Sequence, residues 1–182
     1  MPEKKTEKRK NQKPLYELVS LAMLTAVYVV MNRFLSVSAW NINFGFAFAA
    51  TVTAAAVFGV HGGMIVGGLG DFIGAMLFPK GAYFPGFTLS AAVIGLIYGA
   101  ILKKGKSFRY IAAAALISQT LGSLILNSLW VSILYGNPLK AVIISRLPQF
   151  FSVTVLQLVI SPLIVKAAQK AEKQLGIKKH TA

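Results

Sequence analysis

The feature that most constrains this chain is a succession of apolar runs long enough to cross a lipid bilayer. A helix needs about 20 apolar residues to span the hydrocarbon. Only 13% of the 182 residues are charged and the mean hydropathy is +0.65, whereas a soluble domain carries roughly 25% charged residues. The sequence therefore predicts an all-α integral membrane protein, one membrane domain (1–182) with six transmembrane helices. The runs lie at about 15–35, 44–60, 62–78, 84–102, 110–135 and 147–166.

The basic residues predict the orientation of these helices. Fifteen of the 19 lysines and arginines lie in the tail 1–14, in the loop 103–109 or between 166 and 179. Because cytoplasmic segments carry the excess of Lys and Arg, we expect both termini to be cytoplasmic, with a bundle at 15–166 and a second basic tail at 167–182. The net charge of +14 then favours contact with anionic lipid headgroups rather than nucleic acid.

The four remaining cations are Arg33, Lys80, Lys140 and Arg146, at the predicted outer ends of helices. Every acid except Asp71 lies on the predicted inner side, so these cations lack a counter-charge from the loops. Arginine presents a fork of donors that fits carboxylates and phosphates, which predicts an anionic ligand. The two lysines could instead reach the outer headgroups with their ammonium groups.

The predicted outer loops also carry aromatic rings and amides. Rings, amides and cations together are typical of a pocket for a flat, polar, negatively charged molecule, although aromatic belts at membrane interfaces produce similar loops. The candidates among them are Trp40, Asn41, Asn43, Tyr83 and Phe84. The last two lie in the segment 78–91, FPKGAYFPGFTLSA, whose prolines and glycines interrupt any helix. We expect this segment to form a partly buried lid.

Three further features leave alternatives open. Asp71 either pairs with Arg33 or Arg146, stays neutral through burial, or accepts a hydrogen bond from a ligand or gate. Ala22 and Ala26 in the first run form an AxxxA pair that could dock a partner helix or pack internally. The third run contains small pairs of the same spacing, Gly63 with Gly67 and Gly70 with Gly74, for which internal packing is the simpler interpretation.

Several chemistries are absent from the sequence. There is no cysteine and there are only two histidines, His61 and His180, which cannot form a metal site by themselves. No GxxxxGK[ST] loop, Ser/His/Asp set or HExxH motif is present. We therefore predict a binding protein of the membrane with no catalytic residue, metal or cofactor of its own.

These features resemble a known family, the S components of energy-coupling factor (ECF) transporters, which are vitamin-binding membrane subunits of bacterial importers. The AxxxA pair and the run YFPGFTLSAAVIGLIYG at 83–99 carry the resemblance, and FPGFTLSA at 84–91 is similar to the folate-specific members. It implies a multi-pass protein of the bacterial plasma membrane that binds folate or reduced folates from outside. It also implies a transmembrane coupling subunit, contacted by Ala22 and Ala26, two cytoplasmic ATPases, and release by toppling.

Folate fits the outer residues. Its pterin could stack on Trp40, Tyr83 or Phe84 and take hydrogen bonds at its edge from Asn41, Asn43 or Gln149. Its glutamate carries carboxylates suited to Arg33, Arg146 and one of the lysines, Lys80 or Lys140. Alternatives are another water-soluble vitamin such as thiamin or riboflavin, and a stand-alone channel or structural protein.

Overall fold

The computed structural model describes the backbone of residues 3–39 and 42–174 and the side chains of 15–36 and 45–171. Its helices are joined by short connections, and a small antiparallel ribbon pairs Val37 with Phe44. In chain order the elements are α1 (Glu3–Arg33), β1 (Val37–Ala39), β2 (Ile42–Phe44), α2 (Phe48–Leu77), α3 (Pro85–Lys104), α4 (Phe108–Ser118), a π-helix (Gln119–Leu126), α5 (Asn127–Tyr135) and α6 (Leu139–Gln174).

Five helical segments of the described chain are long and apolar enough to cross a membrane. This agrees with the predicted helical membrane fold. The second and third predicted runs lie in one element, α2, on the two sides of the non-helical Gly59. The fifth predicted run corresponds to α4, the π-helix and α5, which follow one another without a break. The segments are Leu15–Arg33, Phe48–Leu77, Pro85–Lys104, Phe108–Tyr135 and Leu139–Ala171.

The long element α2 reverses direction at Gly59. This residue has φ 70° and ψ −149°, a conformation that only glycine adopts without a steric penalty. In a continuous helix, residues eight apart are separated by about 12 Å along the axis. A Cβ atom built on Gly63 would nevertheless lie 3.1 Å from the Cβ of Ala55. The segments on the two sides of Gly59 therefore pack against each other.

The first segment of α2, 48–58, lies in the middle of the bundle. Val52 and Ala55 belong to a core cluster that includes Tyr98 of α3, Ala114 of α4 and Val165 of α6. On the other side of the same segment, Ala50 and Ala54 pack with Leu21 and Tyr28 of α1. Its small side chains thus let neighbouring helices approach from both sides.

The second segment of α2, 60–77, crosses α3 with backbone contacting backbone. A Cβ atom on Gly95 would lie 2.0 Å from the carbonyl oxygen of Gly63, and one on Gly67 would lie 2.5 Å from the carbonyl oxygen of Ala91. The predicted packing role of Gly63 and Gly67 is confirmed. Small residues permit this approach because they place no bulky side chain between the two helix backbones.

The ends of the helices differ from the sequence prediction. The first helix begins at Glu3, inside the predicted basic tail, and α6 begins at Leu139, before the predicted start at 147, and continues to Gln174. Pro148 and Pro162 lie inside α6; neighbouring helices and local adjustments accommodate prolines in membrane helices. The loop predicted after the first helix contains the β ribbon.

We predict that Gly95→Ala lowers the thermal unfolding midpoint of the purified protein. In an isolated helix alanine would be favoured over glycine by about 1 kcal/mol, but here the added methyl group would meet the backbone of Gly63. Overpacking of this kind costs about 1–3 kcal/mol. Gly81→Ala is the matched control, because its nearest atom, the Tyr135 hydroxyl oxygen, is 3.8 Å from the new methyl position. Equal midpoints for the two variants would contradict the close crossing.

Candidate functional site

A cavity of about 410 Å³ lies at the end of the bundle where α1 and α2 end and α3 begins. Its volume falls in the range of small-molecule sites, about 300–1,000 Å³. Five of the six α-helices, all but α4, line the cavity together with the π-helix. Both Thr51 and Asp71 line it, because the reversal at Gly59 brings the start and the end of α2 to the same place.

The loop 79–83 forms one wall of this cavity. Each of its five residues lines the space. The Lys80 ammonium donates to the carbonyl oxygen of Asn32 at 3.1 Å and to the hydroxyl of Ser36, which attaches the loop to the C-terminal end of α1. Gly81 lies near the hydroxyl group of Tyr135 on α5. The loop thus extends from α1 towards α5 beside the cavity.

Lys80 is exposed, and its ammonium group lies at the carbonyl end of α1. A cation is favourable there because the last carbonyls of a helix carry partial negative charge. Desolvation, and after it the nearby Arg33, lowers the pKa of the Lys80 ammonium group. The geometry gives Lys80 a structural function in holding the loop, in addition to its place in the cavity wall.

Cationic side chains outnumber acidic ones among the described residues of the cavity wall. Arg33, Lys80 and Arg146 line the cavity, together with one carboxylate, Asp71. Arg33 occupies a recess over Gly74, where a Cβ atom would lie 2.9 Å from its Nε. That buried Nε has no hydrogen-bond partner among the described residues. The excess of positive charge makes the cavity suitable for an anion.

The second pair of small residues in α2 accommodates side chains of α1 rather than a backbone. Gly74 makes room for Arg33, and a Cβ atom on Gly70 would lie 2.4 Å from the ring of Tyr28. Tyr28 and Arg33 both line the cavity. These glycines therefore help to position two residues of the candidate site.

Asp71 is connected to the loop through a hydroxyl chain. Thr88 donates to its carboxylate at 3.0 Å, and the Tyr83 hydroxyl lies 3.2 Å from the Thr88 hydroxyl. Because Thr88 has one hydroxyl hydrogen and uses it on Asp71, Tyr83 must be the donor in the second bond. Thr88 thus links the carboxylate of Asp71 to Tyr83 of the loop.

The segment FPGFTLSA is organised around Trp130 of α5. The Phe84 ring packs on Trp130 with centroids 5.6 Å apart, and a Cβ atom on Gly86 would lie 2.5 Å from the same indole. Ser90 accepts the indole N–H at 2.9 Å. Phe87 and Ala91, by contrast, line the cavity. The segment thus fixes the start of α3 against α5 and forms part of the wall.

Amide side chains cover the deeper part of the cavity. Gln119 is 6% exposed and Gln157 is 4% exposed, and both line the cavity together with Asn127. Gln157 accepts a hydrogen bond from Tyr98, whose side chain is fully buried, at 3.0 Å. Sequence reasoning did not select these amides. The available signal was the presence of polar amides inside otherwise apolar runs.

The structure brings together five of the nine ligand-binding residues predicted from sequence. Arg33, Lys80, Tyr83, Arg146 and Gln149 line the cavity. Phe84 does not appear in its wall and packs on Trp130 instead.

The other predicted positions lie elsewhere. Trp40 and Asn41 fall outside the described residues, as does the side chain of Asn43, whose backbone belongs to β2. Lys140, the alternative partner for a carboxylate, is exposed and is not part of the cavity wall.

The predicted partner-binding residues Ala22 and Ala26 lie on an exposed face of α1. Met23 and Val27 beside them are also exposed. Only 22% of the membrane-spanning part of α1 is buried within the bundle, a smaller share than in any other of the five segments. The AxxxA pair is therefore available for contact with lipid or with another protein.

We predict that Thr88→Val destabilises the protein by about 1–3 kcal/mol, because it leaves the partly buried Asp71 carboxylate without its hydroxyl donor. Tyr83→Phe should cost less, since the bond from Thr88 to Asp71 remains. Thermal unfolding of the purified variants would measure both effects.

Thr53→Val is the matched control for this prediction. The Thr53 hydroxyl donates only to the carbonyl oxygen of Ala49 in the same helix, so that oxygen keeps its backbone bond when the hydroxyl is removed. If Thr53→Val lowered the stability as much as Thr88→Val, the hydrogen bonds from Tyr83 through Thr88 to Asp71 would have no special stabilising function.

Comparison with known proteins identifies the family. The family model described as the ECF-type riboflavin transporter, S component, matches residues 13–170. The folate transporter FolT of Clostridium novyi (strain NT) is 38% identical over 131 residues, 71% of this chain and 76% of that protein. The folate transporter FolT of Leuconostoc mesenteroides subsp. mesenteroides is 33% identical over 121 residues, 65% of each chain.

Solved structures show the same relationship. A crystal structure of FolT bound with folic acid superposes with a TM-score of 0.77 at 31% identity, covering 82% of this chain and 92% of that chain. The S-component for biotin from an ECF-type ABC transporter gives a TM-score of 0.68 at 18% identity, covering 88% and 94%, a likeness of fold alone. Since the family model spans most of the sequence, this chain belongs to the family of ECF-type transporter S components.

Proposed function

We propose that this chain is a folate-binding S component, which captures folate or a reduced folate from outside the cell in the cavity described above. The observation that carries the proposal is the cationic cavity in a chain that is 38% identical to one FolT protein and superposes on a FolT structure bound with folic acid. Folate is a flat heterocycle attached to a dicarboxylate, so it needs both stacking surfaces and cations.

In this proposal Arg33 and Arg146 bind the glutamate carboxylates, and Lys80 adds positive charge at the loop. Tyr83 and Gln149 contact the ring system. Trp40, Asn41 and Asn43 remain proposed ligand contacts from the loop after α1. Phe84 acts indirectly, because its ring supports Trp130.

Charge supports folate over two other vitamins. Thiamin is cationic and would be repelled by Arg33, Lys80 and Arg146. Riboflavin, which the matching family model names, is neutral and would bring no anion to balance the excess of positive charge in the cavity wall. Buried or half-buried cations are costly unless an anion compensates them, and the folate carboxylates would do so.

We further propose six membrane crossings with both termini in the cytoplasm of a bacterial cell, all within one membrane domain. The reversal at Gly59 supports two crossings by α2. Its first segment, 48–58, would be about 16 Å long, short of the ~30 Å hydrocarbon thickness, but its residues are largely covered by other helices. The exposed Lys103, Lys104 and Arg109 would then face the cytoplasm, opposite the cavity.

Transport needs an energy source that we propose to be external. A transmembrane coupling subunit would bind the exposed Ala22 and Ala26 face of α1, and two cytoplasmic ATPases would drive toppling of this chain and release of folate. Small residues allow a foreign helix to approach closely, which supports this assignment of the AxxxA pair.

We predict that the purified protein binds about one folate per chain and that Arg33→Ala weakens binding by ~2 kcal/mol or more, because the folate carboxylate loses a desolvated partner. Equilibrium titration with folate would measure the affinities. Arg109→Ala is the control, since Arg109 is exposed at the start of α4 and is not part of the cavity wall. Wild-type affinity in Arg33→Ala would remove Arg33 from the site.

The partner proposal predicts that Ala22→Trp abolishes folate uptake and co-purification with the coupling subunit while folate binding persists, because the indole would hold the two helices apart. Val159→Trp on the exposed face of α6 is the control and should leave all three properties unchanged. Intact uptake and co-purification in Ala22→Trp would contradict the proposed contact.

A further inference from the structure

The π-helix Gln119–Leu126 forms part of the cavity wall. Gln119 and Ser123 belong to it, and Asn127, which follows directly, donates its backbone N–H to the carbonyl oxygen of Gly122 five residues earlier. The wide turns of the π-helix therefore set the spacing of Gln119, Ser123 and Asn127 along the cavity wall. Short π-helical stretches are rare and frequently occur at functional sites.

Two amides of this wall have unfulfilled hydrogen-bonding capacity. The buried oxygens Oε1 of Gln119 and Oδ1 of Asn127 have no hydrogen-bond partner among the described residues. An unsatisfied buried polar atom is destabilising, and most such atoms in native proteins are paired. A carboxamide offers both donors and an acceptor and can rotate to exchange them. A ligand with donors and acceptors along one edge could therefore satisfy both side chains.

The wall that carries these amides is fixed from two sides. Arg146 of α6 donates to the carbonyl oxygen of Ser123 at 3.5 Å. On the other side, a Cβ atom on Gly122 would lie 2.3 Å from the side chain of Ile94, so the π-helix packs directly on α3. Pre-organisation of this kind lowers the entropy lost on binding.

The polar side chains of the cavity differ in how deeply they are buried. Gln119 and Gln157 are almost fully buried, whereas Arg33 is half-buried and Lys80 is exposed. Because burying a charge costs more than burying a neutral amide, a ligand with a neutral ring and an acidic tail is accommodated best with its ring near Gln119 and its tail near Arg33 and Lys80.

We propose that Gln119 and Asn127 bind the hydrogen-bonding edge of the ligand's heterocycle and thereby determine which heterocycle the cavity accepts. The inference rests on the proposed function, since folate supplies the ring and the acidic tail. It assigns recognition of the ring to Gln119 and Asn127 and leaves Arg33 and Arg146 to bind the tail.

The test compares folate with p-aminobenzoyl-glutamate, which keeps the acidic tail and lacks the pterin. Both would be titrated into wild-type protein, Gln119→Met and Asn127→Leu. Each change removes the amide with little change in volume. We expect each variant to bind folate at least about tenfold more weakly and the fragment with wild-type affinity, so that the preference for folate falls.

Thr120→Val is the matched control, since Thr120 lies in the same π-helix and its hydroxyl donates to the carbonyl oxygen of Leu116 outside the cavity. If the apolar variants fail to fold, Gln119→Ser and Asn127→Ser keep a polar side chain but withdraw the amide oxygen from its position, and the same fall in preference for folate is expected.

The outcomes separate this inference from the proposed function. An unchanged preference for folate in folded variants that bind both compounds would overturn the inference and leave the function intact. An equal loss for folate and for the fragment would also overturn it, because the amides would then not act on the ring. Wild-type protein that binds neither compound would overturn the proposed function and the inference together.

Discussion

The reversal of the chain at Gly59 is the constraint on which the rest of the structure depends. Lipid offers no hydrogen bonds to the backbone, so membrane-spanning chains form helices, and polar side chains must then converge inside the bundle. The positive φ of Gly59 lets α2 fold back, which places Thr51 and Asp71 in the wall of one cavity. The glycine contacts between α2 and α3 hold the returning segment close enough to seal that wall.

Within the cavity, the most buried polar side chains are neutral amides, whereas the charged side chains are less buried. Arg33 and Lys80 lie at the end of α1, where Lys80 attaches the loop, Arg146 contacts the π-helix, and the neutral side chains of Gln119 and Gln157 are the most buried. This order suits a ligand with an acidic tail and a neutral ring. Asp71, the one carboxylate among the described residues of the wall, is connected through Thr88 to Tyr83 of the loop. Movement of Tyr83 with the loop would therefore disturb the hydrogen bonds that hold Thr88 and Asp71.

The sequence was sufficient for the membrane class, most helices and the cations of the candidate site, because hydropathy and the positions of charged residues are visible residue by residue. Arg33, Lys80 and Arg146 were found in this way and share one cavity. The sharp reversal between the second and third predicted helices was not predictable, since it depends on a single backbone conformation at Gly59. Gln119 and Asn127 are amides in an otherwise apolar run, but their place in the cavity wall depends on how the π-helix packs against α3 and α6, which the sequence does not show. Phe84 was found as an aromatic residue of the loop, but its contact with Trp130 depends on tertiary structure.

The central claim is that this cavity holds folate, and native mass spectrometry of the protein purified from cells grown with folate tests it most directly. The claim predicts that the protein carries a single small molecule per chain with the mass of folate or a reduced folate, and that added folate exchanges with it. Retention of a different vitamin, or failure to retain folate when it is supplied in excess, would contradict the claim.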